Sequence, residues 1–214
     1  VARHGVPRAR LVVAPCGANL TPAVPPPPRE PSAGPLRLLF VGVDWERKGG
    51  PFAVEVTRAL RALGRDARLD VVGCTPPLAA ADHTFVEVHG VLSLRASDQS
   101  ARLERLFAEA HLLLVPTRAE CFGIVFAEAG AFALPAVAGA VHAVPSIIED
   151  GVNGLLIAAS DTPATVAERI RDLTADADRY AQIATTARAR YESRFRWDLF
   201  VDRLVAAIDR APSA

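Results

Sequence analysis

Apolar residues in this chain fall into short dense runs, separated by longer stretches in which they recur every three or four positions. Leu36-Arg37-Leu38-Leu39-Phe40-Val41-Gly42 is one such run, of the kind that buries both faces in a parallel sheet. Leu69 to Gly73, Phe85 to Val88, Leu112 to Val115 and Pro135 to Ala138 repeat the pattern and predict further strands. Between them, Phe52, Val56, Ala59, Leu60 and Leu63 recur at helical spacing over Pro51 to Gly64, with proline at the start and glycine at the end. Leu103, Leu106 and Phe107 mark a second helix, for which Ser97 or Asp98 is the expected cap. Phe122 to Phe132 reads as a third, and Asp161 to Ala211 is helical throughout. Regular alternation of strand and helix predicts an α/β fold, a Rossmann-like parallel sheet with helices on both faces. Ligands bind such sheets at the carboxyl ends of the strands. Here those ends are the loop after Val41, the turn after Val88 and the loop after Val115.

The start of the chain has a different character. Leu11 to Ala14 predicts a short strand stopped by Pro15, and Leu20 to Pro35 then holds seven prolines. Proline fixes φ and lacks an N–H, so this stretch reads as an extended linker outside the core. The expected organisation is therefore residues 1–35 as the end of a preceding domain plus linker, 36–195 as the sheet domain, and 196–214 as a terminal helix. The sequence opens on Val1 and contains no methionine, and it reads as part of a longer protein.

Composition narrows the function. Among 214 residues, 24 basic side chains balance 24 acidic ones, against the basic excess of a nucleic-acid binder. No apolar run approaches the roughly 20 residues needed to cross a bilayer. Cys16, Cys74 and Cys121 are odd in number and widely spaced, which suits free thiols in a reducing, cytoplasmic compartment. The histidines show no metal-ligand spacing, so no metal is expected. Abundant Ala and Arg with little Lys point to a GC-rich bacterial source.

Two segments could carry chemistry. In Gly42-Val43-Asp44-Trp45-Glu46-Arg47-Lys48-Gly49-Gly50, adjacent cations and glycines precede a helix, and this makes an anion site; a solvated basic turn is the alternative. Neither G-x-G-x-x-G nor G-x-x-x-x-G-K-[ST] is present. In Glu120-Cys121-Phe122-Gly123-Ile124-Val125-Phe126-Ala127-Glu128, two glutamates stand eight positions apart. In helical geometry that is roughly 12 Å, beyond the roughly 5 Å of a retaining hydrolase pair. The spacing suits gripping two ends of one extended ligand. Glu128 lies among apolar residues and needs a partner, and an arginine inside the fold is one alternative to a ligand.

The second segment, with Leu134-Pro135-Ala136-Val137 and Glu149-Asp150-Gly151-Val152-Asn153-Gly154, resembles the E-x7-E region of retaining glycosyltransferases of family 4. The likeness reaches back to Phe40-Val41-Gly42, Lys48-Gly49 and His89-Gly90-Val91, and forward to Phe195-Arg196-Trp197. It implies the C-terminal, donor-binding half of a two-domain double-Rossmann enzyme, with Pro15-Cys16-Gly17-Ala18-Asn19 as the hinge. It also implies transfer of a sugar, with retention, from a nucleoside diphosphate to a glycan, lipid or small-molecule acceptor. No cofactor or metal is implied, and peripheral membrane association could run through the missing half.

By the same resemblance, Lys48, helped by Arg47, would hold the diphosphate, and Glu120 the donor sugar near the reacting carbon as the catalytic contact. Glu128 would hold the ribose, the amides of Phe122, Gly123, Ile124 and Val125 the sugar and distal phosphate, and Val91 the base. The chain departs from the family pattern at Val43, where arginine is frequent, at Cys121, usually glycine, and at Ser146, usually a carboxylate. His142 is expected in a turn, and Trp45 and Trp197 in packing. Competing readings are an inactive nucleotide-sugar-binding module and a sugar-nucleotide epimerase.

Overall fold

The computed structural model describes residues 5, 7, 10–24, 26, 27, 29–31 and 34–209. Residues 1–4, prolines 25 and 28, and residues 210–214 of the expected terminal helix lie outside the described residues.

Six parallel strands form one sheet in the order β3-β2-β1-β4-β5-β6. They are β1 (Leu36–Val41), β2 (Ala67–Val72), β3 (Val86–Gly90), β4 (Leu112–Val115), β5 (Ala136–Gly139) and β6 (Gly154–Ile157). The helices are α1 (Gly50–Ala62), α2 (Ser97–Glu109), α3 (Ile124–Ala131), α4 (Val144–Ile147), α5 (Pro163–Ala175), α6 (Ala177–Arg194) and α7 (Trp197–Asp209). The chain runs outward from β1 to β3, returns to β4 beside β1, and runs outward again to β6. Right-handed crossovers on these two outward paths put their helices on opposite faces. Accordingly α1 packs against α5, and α3 against α6. Order reverses between β1 and β4, and their carboxyl ends open the crevice where such sheets bind ligands.

Apolar density sorts the strands. Every β4 residue is buried, as are Leu36, Leu38, Leu39 and Phe40 of β1, because both lie in the middle of the sheet under helices. The third helix is apolar all round and buried from Val125 to Ala131, so it is a central helix.

Several expectations change. Leu11 to Ala14 is not a strand: Leu11, Val12 and Val13 are 44, 54 and 84 % exposed, and neither edge of the sheet pairs with them. The linker is not wholly outside the core, since Leu20 is 3 % exposed and Arg65 donates to the carbonyls of Pro31 and Gly34. Helix α2 starts after Ala96 without a side-chain cap, so neither Ser97 nor Asp98 caps it. Strand β6 and the single turn α4 were not expected; each is four residues long, and β6 opens on glycine, which leaves too little pattern. The helical stretch after Asp161 divides in three. Asp176, as N-cap of α6, accepts from the Arg179 amide, and the chain breaks again around Phe195.

Candidate donor site

The β1 and β4 loops are stitched together at the crevice. The Arg47 carbonyl accepts from the Arg118 amide (2.9 Å) and from the Thr117 hydroxyl (3.3 Å), and Thr117 also donates to the Ala119 carbonyl (3.0 Å). Arg47 returns the link, its Nη1 donating to the Ala119 carbonyl at 2.9 Å while its Nε donates to Asp44 at 3.1 Å. Asp44, served by the Arg47 amide and guanidinium, is held below its ordinary carboxylate range. Gly49 completes the join at φ 77°; a Cβ there would lie 2.1 Å from the Pro116 carbonyl oxygen, so the close approach requires glycine.

Those stitches bring together two of the four charged residues the sequence singled out, Lys48 and Glu120. Lys48 Nζ donates to Glu120 Oε2, with the side chains 13 and 10 % exposed. Lys48 is also the single lysine among the 24 basic residues. Arginine serves everywhere else, and the compact ammonium stands where a point charge meets a carboxylate. Arg47, by contrast, has its guanidinium engaged by Asp44 and Ala119, so its first task is joining loops. Asp44 and Thr117 were not singled out in the sequence; Thr117 is a buried hydroxyl two residues past the end of β4.

Beside this pair, α3 begins at Gly123, which is at φ 85°. The Phe126 amide already donates to the Gly123 carbonyl at 2.9 Å, which leaves the amides of Ile124 and Val125 without an intrahelical acceptor, and the helix dipole adds partial positive charge there. Ile124 and Val125 belong to that turn, and the Phe122 ring packs edge-on against Phe195, 6.2 Å between centroids. Val91 follows Gly90 at the end of β3 and is 71 % exposed. It stands two strands from β1, about 10 Å at ordinary strand spacing.

Glu128 lies farther along α3 and is 9 % exposed. Burial raises its carboxyl above the ordinary range, and the backbone amides of Leu20 and Asn19 oppose the shift by donating to it. Its partners are therefore main-chain amides of the entering segment rather than an arginine.

The other notable residues have structural settings. Trp45 packs edge-on against Phe40 and covers Gly50. His142 is exposed in a turn at φ 49°, and the Ser146 hydroxyl donates to the Ala143 carbonyl. Asn153 is buried, accepting from the Glu149 amide and donating to the Ile147 carbonyl, so this part of the motif closes a turn. Cys16, Cys74 and Cys121 are free thiols. Asp70, Glu87 and His89 cluster with ligand-capable atoms within 4.8 Å. Both ring nitrogens of His89 are engaged: Nε2 meets Asp70 at 2.8 Å and Nδ1 meets the Arg102 guanidinium at 2.7 Å. With arginine donating to Nδ1, the proton is on Nε2 and points at Asp70, the arrangement of a hydrogen-bonded brace. A cavity of about 380 Å³, lined in part by Phe52, Thr117, Arg118 and Asp161, opens at the ends of β4 to β6.

A family model described as glycosyl transferases group 1 matches residues 35–176. The chain belongs to that family. A D-inositol 3-phosphate glycosyltransferase of Xylanimonas cellulosilytica is 32 % identical over 91 % of this chain and 50 % of the relative. Another from Catenulispora acidiphila is 40 % identical over 47 % of this chain and 23 % of its own length. The chain thus spans about half the length, or less, of these curated relatives. Among solved structures, WaaG, a glycosyltransferase involved in lipopolysaccharide biosynthesis, shares the fold with TM-score 0.73 at 24 % identity, over 97 % of this chain and 58 % of that one. The sucrose-phosphate synthase of Thermosynechococcus elongatus does so with TM-score 0.69 at 23 % identity, over 92 and 51 %. Anabaena HepE in complex with UDP-glucose gives 0.66 at 21 %, over 84 and 50 %. Among the described residues no helix is long and apolar enough to cross a membrane.

Proposed function

We propose that the β1–β4 crevice binds a nucleoside-diphosphate-sugar, and that the protein to which this chain belongs transfers the sugar to an acceptor with retention. The observation that carries the reading is the Lys48–Glu120 pair, a cation and a carboxylate held together at the switch point beside the open amides of α3. On binding, the diphosphate takes up the Lys48 ammonium and the first-turn amides of α3, groups that neutralise a leaving diphosphate without a metal. Glu120, released from Lys48, accepts from hydroxyls of the donor sugar and acts as the catalytic contact as positive charge develops there. Glu128 accepts from the ribose hydroxyls, and the main chain at Val91 meets the base. Arg47 supports the phosphate site by fixing the loop that carries Lys48. The fold of the UDP-glucose complex of HepE and the names of the relatives support a sugar nucleotide as donor. Those names also make D-inositol 3-phosphate the first acceptor to assay, with glycans and lipids next. A cytoplasmic site of action and peripheral membrane contact through a further domain belong to the same proposal. An epimerase would return an altered sugar nucleotide rather than a glycosylated acceptor, and product analysis with labelled donor separates the two.

The test is a metal-free titration of UDP, GDP and ADP and their glucose derivatives, followed by thermal unfolding and calorimetry. At a hundred times Kd the chain gains about 2.7 kcal/mol. Glu128→Gln weakens nucleoside diphosphate and nucleotide-sugar alike, whereas Glu120→Gln weakens the nucleotide-sugar selectively. Melting curves indifferent to every ligand at millimolar concentration would sink the donor-site reading.

A further inference from the structure

The segment entering the domain is bound to it at several points. The Ala18 amide donates to the Phe195 carbonyl at 2.9 Å, and Trp197 Nε1 donates to Asn19 Oδ1 at 3.1 Å. Ala18 and Leu20 are 5 and 3 % exposed, in contrast to the bare Leu11 to Val13 just upstream. Gly17 passes so near the start of α7 that a Cβ would lie 2.3 Å from the Trp197 nitrogen. At the end of this strap the amides of Asn19 and Leu20 donate to the buried Glu128 carboxylate. That carboxylate sits on α3, the helix whose first turn faces the crevice.

We propose that the strap, residues 16–20, is a working part of the donor site: it positions the Glu128 carboxylate for the donor's ribose, so that strap docking and nucleotide binding reinforce each other. The inference rests on the donor-site reading above. A carboxylate has about four lone-pair positions. Two amides occupy part of that capacity, fix the orientation of the group and leave the remainder for vicinal hydroxyls. With the strap displaced, Glu128 is a buried carboxylate without donors, which is costly. It then takes up a proton or turns away, and in either case it accepts ribose hydroxyls poorly. Coupling of this kind is reciprocal: what the strap contributes to nucleotide affinity, the nucleotide returns to strap docking. Asn19 and Leu20 therefore act as positioning residues through Glu128.

The experiment compares two ligands on the whole chain. Nucleoside diphosphates (UDP, GDP and ADP as probes) touch ribose, whereas inorganic pyrophosphate reaches the phosphate groups alone. Gly17→Ala forces the strap from Trp197. It should weaken the nucleoside diphosphate about tenfold or more, the worth of a charge-assisted hydrogen bond, while pyrophosphate binds as in the wild type. Amide exchange at Asn19 and Leu20 should slow when nucleoside diphosphate is added and stay unchanged with pyrophosphate. Trp197→Phe, which removes the indole N–H to Asn19 together with part of the ring, should act in the same direction and covers the case in which Gly17→Ala does not fold. Equal loss of both ligands would mean general damage and overturn the inference. So would wild-type nucleotide affinity in folded variants, or exchange at Asn19 and Leu20 that ignores the nucleotide. A wild-type chain that binds none of the nucleotides removes the donor-site reading itself, and this inference with it.

Discussion

The Lys48–Glu120 pair is nearly excluded from water, and each partner makes the other tolerable. Removing one leaves a charge in a site built for two, which costs about 3 kcal/mol or more, whereas removing both costs far less than the sum. Urea unfolding of Lys48→Ala, Glu120→Ala and the double variant should therefore show strong coupling; additive losses would mean the pair is solvated in practice. The single lysine permits a direct view of the same contact. Reductive methylation with a carbon-13 label keeps the charge and marks one side chain in the sequence, apart from the terminal amine. The Lys48 methyl signal should move on adding pyrophosphate; in Glu120→Ala its ligand-free position should change while its ligand-bound position stays the same. Thr117 and Asp44 were invisible as site residues in the sequence because their role is to hold backbone. Nothing in a hydroxyl or a carboxylate states which carbonyl or guanidinium it will meet.

Between elements, the decisive contact is the join of the β1 loop to the β4 loop. Gly49 stands at its narrowest point, at φ 77° with no room for a Cβ against Pro116. Gly49→Ala pays for a strained backbone and also separates the loops, so the loss should exceed the roughly 1 kcal/mol expected of positive φ alone. Donor affinity should fall with it, because Lys48 is the adjacent residue; denaturant melts and nucleotide titration of the variant check both, and a neutral substitution would show that the loops are not held as described. Elements with sustained apolar periodicity, such as α1, or an unbroken run of bulky apolar residues, such as β4, were legible within a residue or two. Strand β6 and the divisions among α5, α6 and α7 were not. The first is short and begins at glycine; the start of α5 and the α5–α6 division are set by Thr162 and Asp176 acting as caps, a function their polar character does not reveal on its own. Leu11 to Ala14 erred the other way, because an apolar run becomes a strand when an edge is there to pair with it.

At the scale of the molecule, His111 reports on the integrity of the sheet. Its amide donates to the Arg37 carbonyl of β1, its Nδ1 accepts from the Arg37 amide, and its carbonyl accepts from the Tyr180 hydroxyl of α6. Burial, aided by Arg29, Arg65 and Arg37, pushes its pKa down from 6.5 to about 4. The folded state thus favours the neutral ring. Its contribution is complete above pH 6.5 and is lost as pH falls from there to about 4, on the order of 3 kcal/mol in all. Glu128, with its carboxyl raised by burial, acts oppositely and favours the fold as pH falls. Urea melts across this window should lose their acid slope in His111→Asn; an unchanged slope would place the titration elsewhere. Periodicity, glycine and proline placement and the order of spaced motifs were enough, in the sequence by itself, to determine a parallel α/β sheet, the loops at its carboxyl ends and the candidates Lys48, Glu120 and Glu128, because these are local patterns and side-chain chemistry. Tertiary structure alone decided which of them meet: that Lys48 faces Glu120, that Arg47 is spent on joining two loops, and that Glu128 is served by amides more than a hundred residues earlier. Those pairings depend on how the strands are ordered and on one close backbone approach, and neither is encoded within any single segment.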